Sequence, residues 1–262
     1  MRSQGAVAAR VVEVDATQGR VRVTYKEMDD DLESPWAYVA APLAGKGRGM
    51  LFMPEKGDEV LVLHGHGDFD HPYVIGYLWN GVEKAPETDP AMRVIRTPGG
   101  HQLRFEDRQD AKKVVLSSDG ARRLTLDDAP AGGKIELVST GNRVLLDDSA
   151  ASTRIELQAG TSGVGVTLTL SSTPQPSLTI SAGGGSTTLT IDATGVAVTT
   201  AAVARLQCTA LEVTAAAAAS LTAPVVTLDS ALVTCSGLLM CSTLVADSVV
   251  SPLYTPGAGN LI

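Results

Sequence analysis

The sequence predicts an all-β protein: a small N-terminal barrel followed by a long, narrow, repetitive β-region. Three observations carry this. Between Glu106 and Leu253 there is no Phe, Tyr or Trp. Within that stretch short apolar-polar-apolar pulses recur: Leu124-Thr125-Leu126, Ile135-Glu136-Leu137, Ile155-Glu156-Leu157, Leu178-Thr179-Ile180 and Leu189-Thr190-Ile191. A strand turns alternate side chains to opposite faces, so each pulse reads as a strand with one buried face. Thirdly, the pulses repeat. Gly99, Gly120 and Gly141 each open a unit of strand, turn, strand and turn, with a period of roughly 20 residues.

Aromatic side chains fill thick cores. A long β-region built from Leu, Val, Ile, Ala and Thr therefore has a thin one. One strand pair cannot bury its apolar stripe alone. A single chain could coil into a β-solenoid, but the hexapeptide rhythm and three inward ladders of that architecture are absent. Three chains could instead wrap one axis, each giving one face of a triangular prism. The single stripe per strand pair fits this trimeric, intertwined β-helix better, and closure hides sheet edges. Aligning the units puts Leu103, Phe105, Leu124, Leu126, Ile135, Leu137, Val144, Leu146, Ile155 and Leu157 in the trimer core. Thr125 and Leu145 are expected outside.

The outer side of the repeat changes along the chain. Residues 161–262 hold one basic side chain, Arg205, and four acidic ones, Asp192, Glu212, Asp229 and Asp247. Thr and Ser take the outward places, and Thr is β-branched yet hydrogen-bonds water. The run Ala215–Ala219 favours helix in isolation. The flanking pulses favour strand, with a short helical turn as the alternative.

Residues 1–80 hold eight of the ten aromatics. Strands are expected near residues 6–14, 20–25, 36–40, 50–53, 59–63 and 73–78. Turn signals at Gly19, Gly45, Gly47, Gly57, Gly65 and Gly67 separate them. Five or six short antiparallel strands of this kind suggest a closed OB-type barrel. Residues 81–98, with Pro86, Pro90 and Pro98, read as a linker. The expected domains are 1–80 (barrel), 81–98 (linker), 99–253 (β-helical needle) and 254–262 (C-terminal tip).

Composition narrows the function. The formal net charge is −8 over 262 residues, which disfavours non-specific nucleic-acid binding. The barrel and linker carry 15 acidic against 11 basic residues through residue 98, a poor groove for an oligonucleotide. No apolar run approaches the ~20 residues that span a bilayer, and the N-terminus lacks a secretory apolar segment. Synthesis in the cytoplasm is expected. Cys208, Cys235 and Cys241 have no framework spacing and read as reduced core residues; a tri-thiolate metal site across a trimer is the sharper alternative.

Catalytic and ligand signals are weak. No nucleophile elbow, Walker loop or dinucleotide fingerprint occurs. His64 and His66 could share a strand face as metal ligands, but a loop role fits their Gly-rich setting better. Asp29-Asp30-Asp31 reads as a solvated loop. Asp127-Asp128 and Asp147-Asp148 lack the rhythm of calcium-binding β-rolls and read as turn residues. No enzymatic activity, cofactor or metal is expected. The enzyme alternative, a trimeric β-solenoid acyltransferase, needs an active-site histidine between subunits, and only His101 lies in the repeats.

One ordered set of motifs carries a family resemblance. It comprises Glu33-Ser34-Pro35-Trp36-Ala37, Gly45-Lys46-Gly47-Arg48-Gly49 and the run from Pro54 to Val62. Gly67-Asp68, Pro72-Tyr73-Val74-Ile75-Gly76 and Leu78-Trp79-Asn80-Gly81 complete it. The set resembles the OB domain of central spike proteins of contractile injection systems, such as phage baseplate assembly protein V and the VgrG proteins. The units that follow resemble the triple-stranded β-helix of the same family. The resemblance implies a homotrimeric spike at the tip of a phage tail or tail-like particle, which punctures a target envelope. The chain starts at the OB domain without the hub domains of VgrG, which implies a separate hub protein. The segment before the repeats has no room for the lysozyme domain of T-even phage spikes. The His-X-His tip pair of some phage spikes is missing. A PAAR-type tip protein is therefore the implied cap, with Tyr254, Leu261 and Ile262 as its docking residues. The alternative is that the tail folds back to close its own core.

Overall fold

The computed structural model describes residues 5–25, 29–161 and 163–251. The first eight strands are β1 (Ala6–Asp15), β2 (Arg20–Tyr25), β3 (Asp29–Glu33), β4 (Ala37–Val39), β5 (Ala44–Gly45), β6 (Arg48–Gly49), β7 (Glu59–His64) and β8 (Pro72–Tyr77). Six of them form a sheet in the order β1-β7-β8-β4-β2-β3, and β1 also pairs with β2. That pairing closes a five-stranded barrel, as the sequence predicts. All its pairs are antiparallel except β4 with β8.

The barrel core follows from period-two alternation. Val21, Val23 and Tyr25 point inward from β2, and Val60, Val62 and His64 from β7. Ala9, Val11, Ala37 and Val74 complete the cluster. Fully burying one such valine stabilises by about 1.5–3 kcal/mol. Ser34 locks the β2–β4 corner. Its Oγ accepts the Val23 amide at 3.1 Å and donates to the Pro35 carbonyl at 2.7 Å. Outside, the guanidinium groups of Arg20 and Arg22 each lie 4.8 Å from the Trp36 ring.

Two barrel details differ from the sequence reading. Residues 50–53 form no strand; the pairing falls just before them, in the short β5–β6 hairpin. The acidic run is not a loop: Asp29 begins β3, whose backbone pairs with β2. Backbone pairing to an edge strand is indifferent to side-chain charge, which composition alone does not reveal.

The second sheet contains β9 (Met92–Arg96), β10 (Gln102–Arg108), β11 (Ala111–Ser117), β12 (Arg123–Asp127), β13 (Lys134–Val138) and β14 (Asn142–Asp147). It continues through β15 (Arg154–Ala159), β16 (Val166–Ser171), β17 (Ser177–Ala182), β18 (Thr187–Asp192) and β19 (Gly195–Thr200). Each strand pairs antiparallel with its neighbour in sequence, an unbroken meander of 11 strands. The sheet begins inside the expected linker, because β9 pairs with β10 through Ile95 opposite Leu103. Glycines sit at most of the reversals, but those after β10, β14 and β16 have none. Gly132 has φ +131°, and a Cβ there would sit 2.3 Å from the Ser149 Cα.

The meander ends earlier than the pulses do. Residues 205–251 cluster as a separate unit from residues 1–204. Among the described residues no strand lies beyond Thr200, and Ala215–Ala219 are neither strand nor helix. The sequence reading extended regular strands to residue 253.

A candidate assembly surface

Residues directly opposite across antiparallel strands point to the same face of a sheet. The register therefore defines rows. One row runs Leu103, Leu116, Leu124, Leu137, Val144, Leu157, Leu168, Ile180, Leu189 and Val198. Beside it runs Phe105, Val114, Leu126, Ile135, Leu146, Ile155, Leu170, Leu178, Ile191 and Val196. Every strand from β10 to β19 gives one residue to each row, and every one is apolar. At the β9 end the second row stops at an ion pair, Arg93 Nη1 to Asp107 Oδ2, 2.6 Å.

Among the described residues of the barrel and meander, none covers this face. Leu116 is 54% exposed, Leu137 52% and Leu126 39%. A shallow trough between Leu116, Leu124, Leu137 and Val144 lies on it. Soluble monomers rarely expose a contiguous apolar patch beyond a few hundred Å².

The opposite face satisfies itself. Along one flank Glu106, Lys113, Asp127, Lys134, Asp147 and Arg154 face one another in turn, alternating in sign. Lys113 Nζ lies 2.9 Å from Asp127, and Asp147 sits between Lys134 at 3.6 Å and Arg154 at 3.9 Å. Hydrogen bonds from Ser149 hold the Asp147 carboxyl below the usual carboxylate range, with help from Lys134 and Arg154. Next to this flank Arg143 contacts Glu136 and Glu156, each at 2.7 Å. Its guanidinium is pushed further up by Glu136 above all. Beyond β15 the charges give way to rows such as Thr169, Thr179 and Thr190.

All ten residues expected in the core lie on the apolar face, on β10 and β12 to β15. The sequence reading missed Val114 and Leu116 of β11. There Val114, Val115 and Leu116 are all apolar, so alternation alone does not tell which parity points inward. The list of core residues read from the sequence ended at Leu157, although the pulses Leu178-Thr179-Ile180 and Leu189-Thr190-Ile191 were read as strands with one buried face, and Leu168 and Leu170 of β16 offered the same signal. Thr125 lies on the opposite face as expected. Leu145 does too, yet it is only 2% exposed. Glu136 and Glu156 stand directly opposite it, and the stems of long polar side chains bury apolar neighbours. Tyr254, Leu261 and Ile262 lie outside the described residues.

The barrel wall carries a second exposed apolar row. Tyr38 faces Tyr73, Tyr73 faces Leu63, and Leu63 faces Ala6 across four strands. Inside, Tyr25 Oη and His64 Nε2 are 3.0 Å apart, and Phe69 packs against both rings. Burial lowers the His64 pKa and raises that of Tyr25. His66 occupies a tight turn at φ +54°, so the two histidines do not share a strand face. His71 pairs with Asp68, and His101 Nδ1 accepts the Asp119 amide at 3.2 Å. Among the described residues no three His, Cys, Asp or Glu side chains converge on a metal position.

A barrel of this topology leading into such a meander can be set against known proteins. The family described as the type VI secretion system/phage-baseplate injector OB domain matches residues 7–79. The match coincides with β1 to β8 and leaves the meander outside it. Curated spike proteins align over a longer stretch. VgrG4b of Pseudomonas aeruginosa is 35% identical over 111 residues, covering 37% of this chain and 14% of the relative. VgrG5 of the same organism is also 35% identical over 111 residues, again 37% of this chain and 14% of the relative. VgrG3 of Vibrio cholerae is 30% identical over 110 residues, 37% of this chain and 11% of the relative. The aligned part is thus a small fraction of each relative's length. All three relatives carry the name type VI secretion system spike protein.

Proposed function

We propose that this chain is one third of a homotrimeric spike of a contractile injection system, without enzymatic activity. The observation that carries the proposal is the uncovered apolar face. Two unbroken rows of Leu, Ile, Val and Phe run from β10 to β19, while the other face neutralises its own charges. Three copies that turn these rows toward one axis would enclose a thin, aromatic-poor core. Association costs about 4–15 kcal/mol in lost freedom. Completing the burial of the ten residues in each row, at roughly half of 1.5–3 kcal/mol apiece because each is already partly covered, is enough to outweigh that.

The role is mechanical. Residues 1–80 serve as a collar that docks on a baseplate hub protein, and the exposed row of Tyr38, Tyr73 and Leu63 supports a protein-facing wall. Residues 81–98 connect the collar to a needle over 99–253, with the sheet starting at β9. Residues 254–262 form the tip that receives a PAAR-type cap. The spike is made in the cytoplasm and built into a phage tail or tail-like particle. Contraction drives it through the target cell envelope, and backbone ladders along the needle resist bending. The assembly is tested by light scattering at micromolar concentration. A mass three times 27.1 kDa is expected; a stable folded monomer would overturn the spike reading.

A further inference from the structure

The charged face of the meander is not balanced along both its edges. On the flank from Glu106 to Arg154 each residue meets one of opposite sign. The row along the other edge of the same face runs Arg96, Gln102, Ser117, Arg123, Val138, Arg143 and Gln158. Its charges are three arginines, with no acid among them. Arg143 finds Glu136 and Glu156 in the row between. Arg123 meets Glu136 only at 3.6 Å. Among the described residues Arg96 meets no carboxylate; it donates to Gln102 Oε1 at 3.3 Å.

A polar hollow of about 500 Å³ opens at this end of the row. Arg96, Arg104 and Arg123 line it from β9, β10 and β12, with Ser117 and Ser118 at the end of β11. Two turns close it off, and they lie so near each other that a Cβ on Gly100 would sit 3.1 Å from the Asp119 side chain. The hydroxyls of Ser117 and Ser118 and the Nε of Arg104 are buried there with no hydrogen-bond partner. The other guanidinium nitrogens of Arg104 reach Glu106 and Glu87. Buried polar groups are paired as a rule, because leaving one unpaired is costly.

We propose that this hollow binds a phosphate group, either the free ion or a phosphomonoester headgroup. All three unpaired groups can donate, and guanidinium can do nothing else. The complement is therefore an acceptor. Three guanidiniums repel a cation. Water would serve the hydroxyls but would leave the charges of Arg96 and Arg123 facing one another. The donors come from four adjacent strands, which suits a tetrahedral oxyanion with acceptors in several directions. Arginine is also the side chain whose fork matches phosphate. Asp119 lines the hollow as well, and one carboxylate against three guanidiniums leaves the excess positive. The hollow is roomier than a single phosphate, so the group that carries it has space. It lies on the face opposite the apolar rows, which the proposed assembly does not use. Failure of the site would leave the spike reading standing.

The test uses the full-length chain in phosphate-free buffer of low ionic strength. Calorimetric titration with inorganic phosphate should show one saturable site per chain. Arg96→Gln and Arg123→Gln should each weaken it about tenfold or more, the loss of one charged hydrogen bond. Arg10→Gln, which removes the same charge from an exposed position on the barrel, should leave it unchanged. Arg96 has only Gln102 to lose, so Arg96→Gln should keep the wild-type denaturant midpoint. Sedimentation with phosphatidylcholine vesicles, with and without phosphatidic acid, separates the two sources. Phosphate binding without vesicle binding assigns the free ion. Capture by phosphatidic acid vesicles that Arg96→Gln abolishes assigns the headgroup. Saturable binding of neither probe overturns the proposal, as does binding that Arg96→Gln and Arg123→Gln leave intact.

Discussion

Leu126 stands directly opposite Ile135 on the neighbouring strand, and the two are 39% and 43% exposed on the same uncovered face. In a threefold assembly Leu126→Asp would bring three carboxylates to one axis. Each buried, unpaired charge costs several kcal/mol. The variant should fall to monomer in light scattering. The control must respect the other face. Thr125 is paired with Glu136, so an aspartate there would confront a like charge, whereas Thr125→Lys would meet an opposite one. Thr125→Lys should keep the trimeric mass. Equal behaviour of the two variants would mean that the apolar face is not the interface.

Asp147 anchors the charged flank, and its effect should be visible in acid. Its carboxyl titrates below the ordinary carboxylate range because of Ser149, Lys134 and Arg154. A depressed folded-state value gives stability that is full above the unfolded value of about 4. That stability is lost as pH falls through the folded value. Asp147→Asn should cost about 1–3 kcal/mol near neutrality. The difference in denaturant midpoint from wild type should hold between pH 7 and 5 and shrink below about pH 4. A difference independent of pH would assign the loss to packing.

The limits of legibility in the sequence have physical causes. Strand parity was readable wherever a polar residue separated two apolar ones, as Thr125 separates Leu124 from Leu126. It failed at Val114-Val115-Leu116, where apolar side chains on both faces erase alternation: Val115 is 9% exposed on the charged side and Leu116 54% exposed on the other. Leu145 lies on the charged face, and its burial depends on Glu136 and Glu156 from two other strands, a pairing that one strand does not announce. The barrel was readable from its turns and aromatics. The absence of strands after Thr200 among the described residues was not, because pulse chemistry reports strand preference and carries no information on pairing.

His64 should make the barrel sensitive to mild acid. Burial lowers its pKa below the usual histidine value, so the unfolded chain takes up the proton first. Stability from this group is complete above about pH 6.5 and declines as pH falls through the lower folded value. His64→Leu alone removes one of the Tyr25 hydroxyl's two side-chain partners and leaves Ser34, at a cost of about 1–3 kcal/mol. Combined with Tyr25→Phe the loss should largely vanish, together with the pH dependence between 7 and 5. Trp36 and Trp79, the only tryptophans, both lie in the barrel domain and report its unfolding by fluorescence. A double variant as acid-sensitive as wild type would show that other groups set the response.

Arg143 offers a test of what the charged face contributes. It reaches Glu136 and Glu156 at 2.7 Å on either side of the strand that carries Leu145. Partly open ion pairs are worth about 0–1 kcal/mol each and weaken in salt. Covering Leu145 is a packing effect and is insensitive to salt. If cover dominates, Arg143→Ala should lower the unfolding midpoint by a similar amount in 0.1 M and 1 M salt, on the order of 1–3 kcal/mol. Arg143→Met with Glu136→Gln and Glu156→Gln, which keeps long stems and removes the charges, should recover most of the loss. A deficit that disappears in 1 M salt would instead make the face an electrostatic lattice, with Leu145 incidental to it.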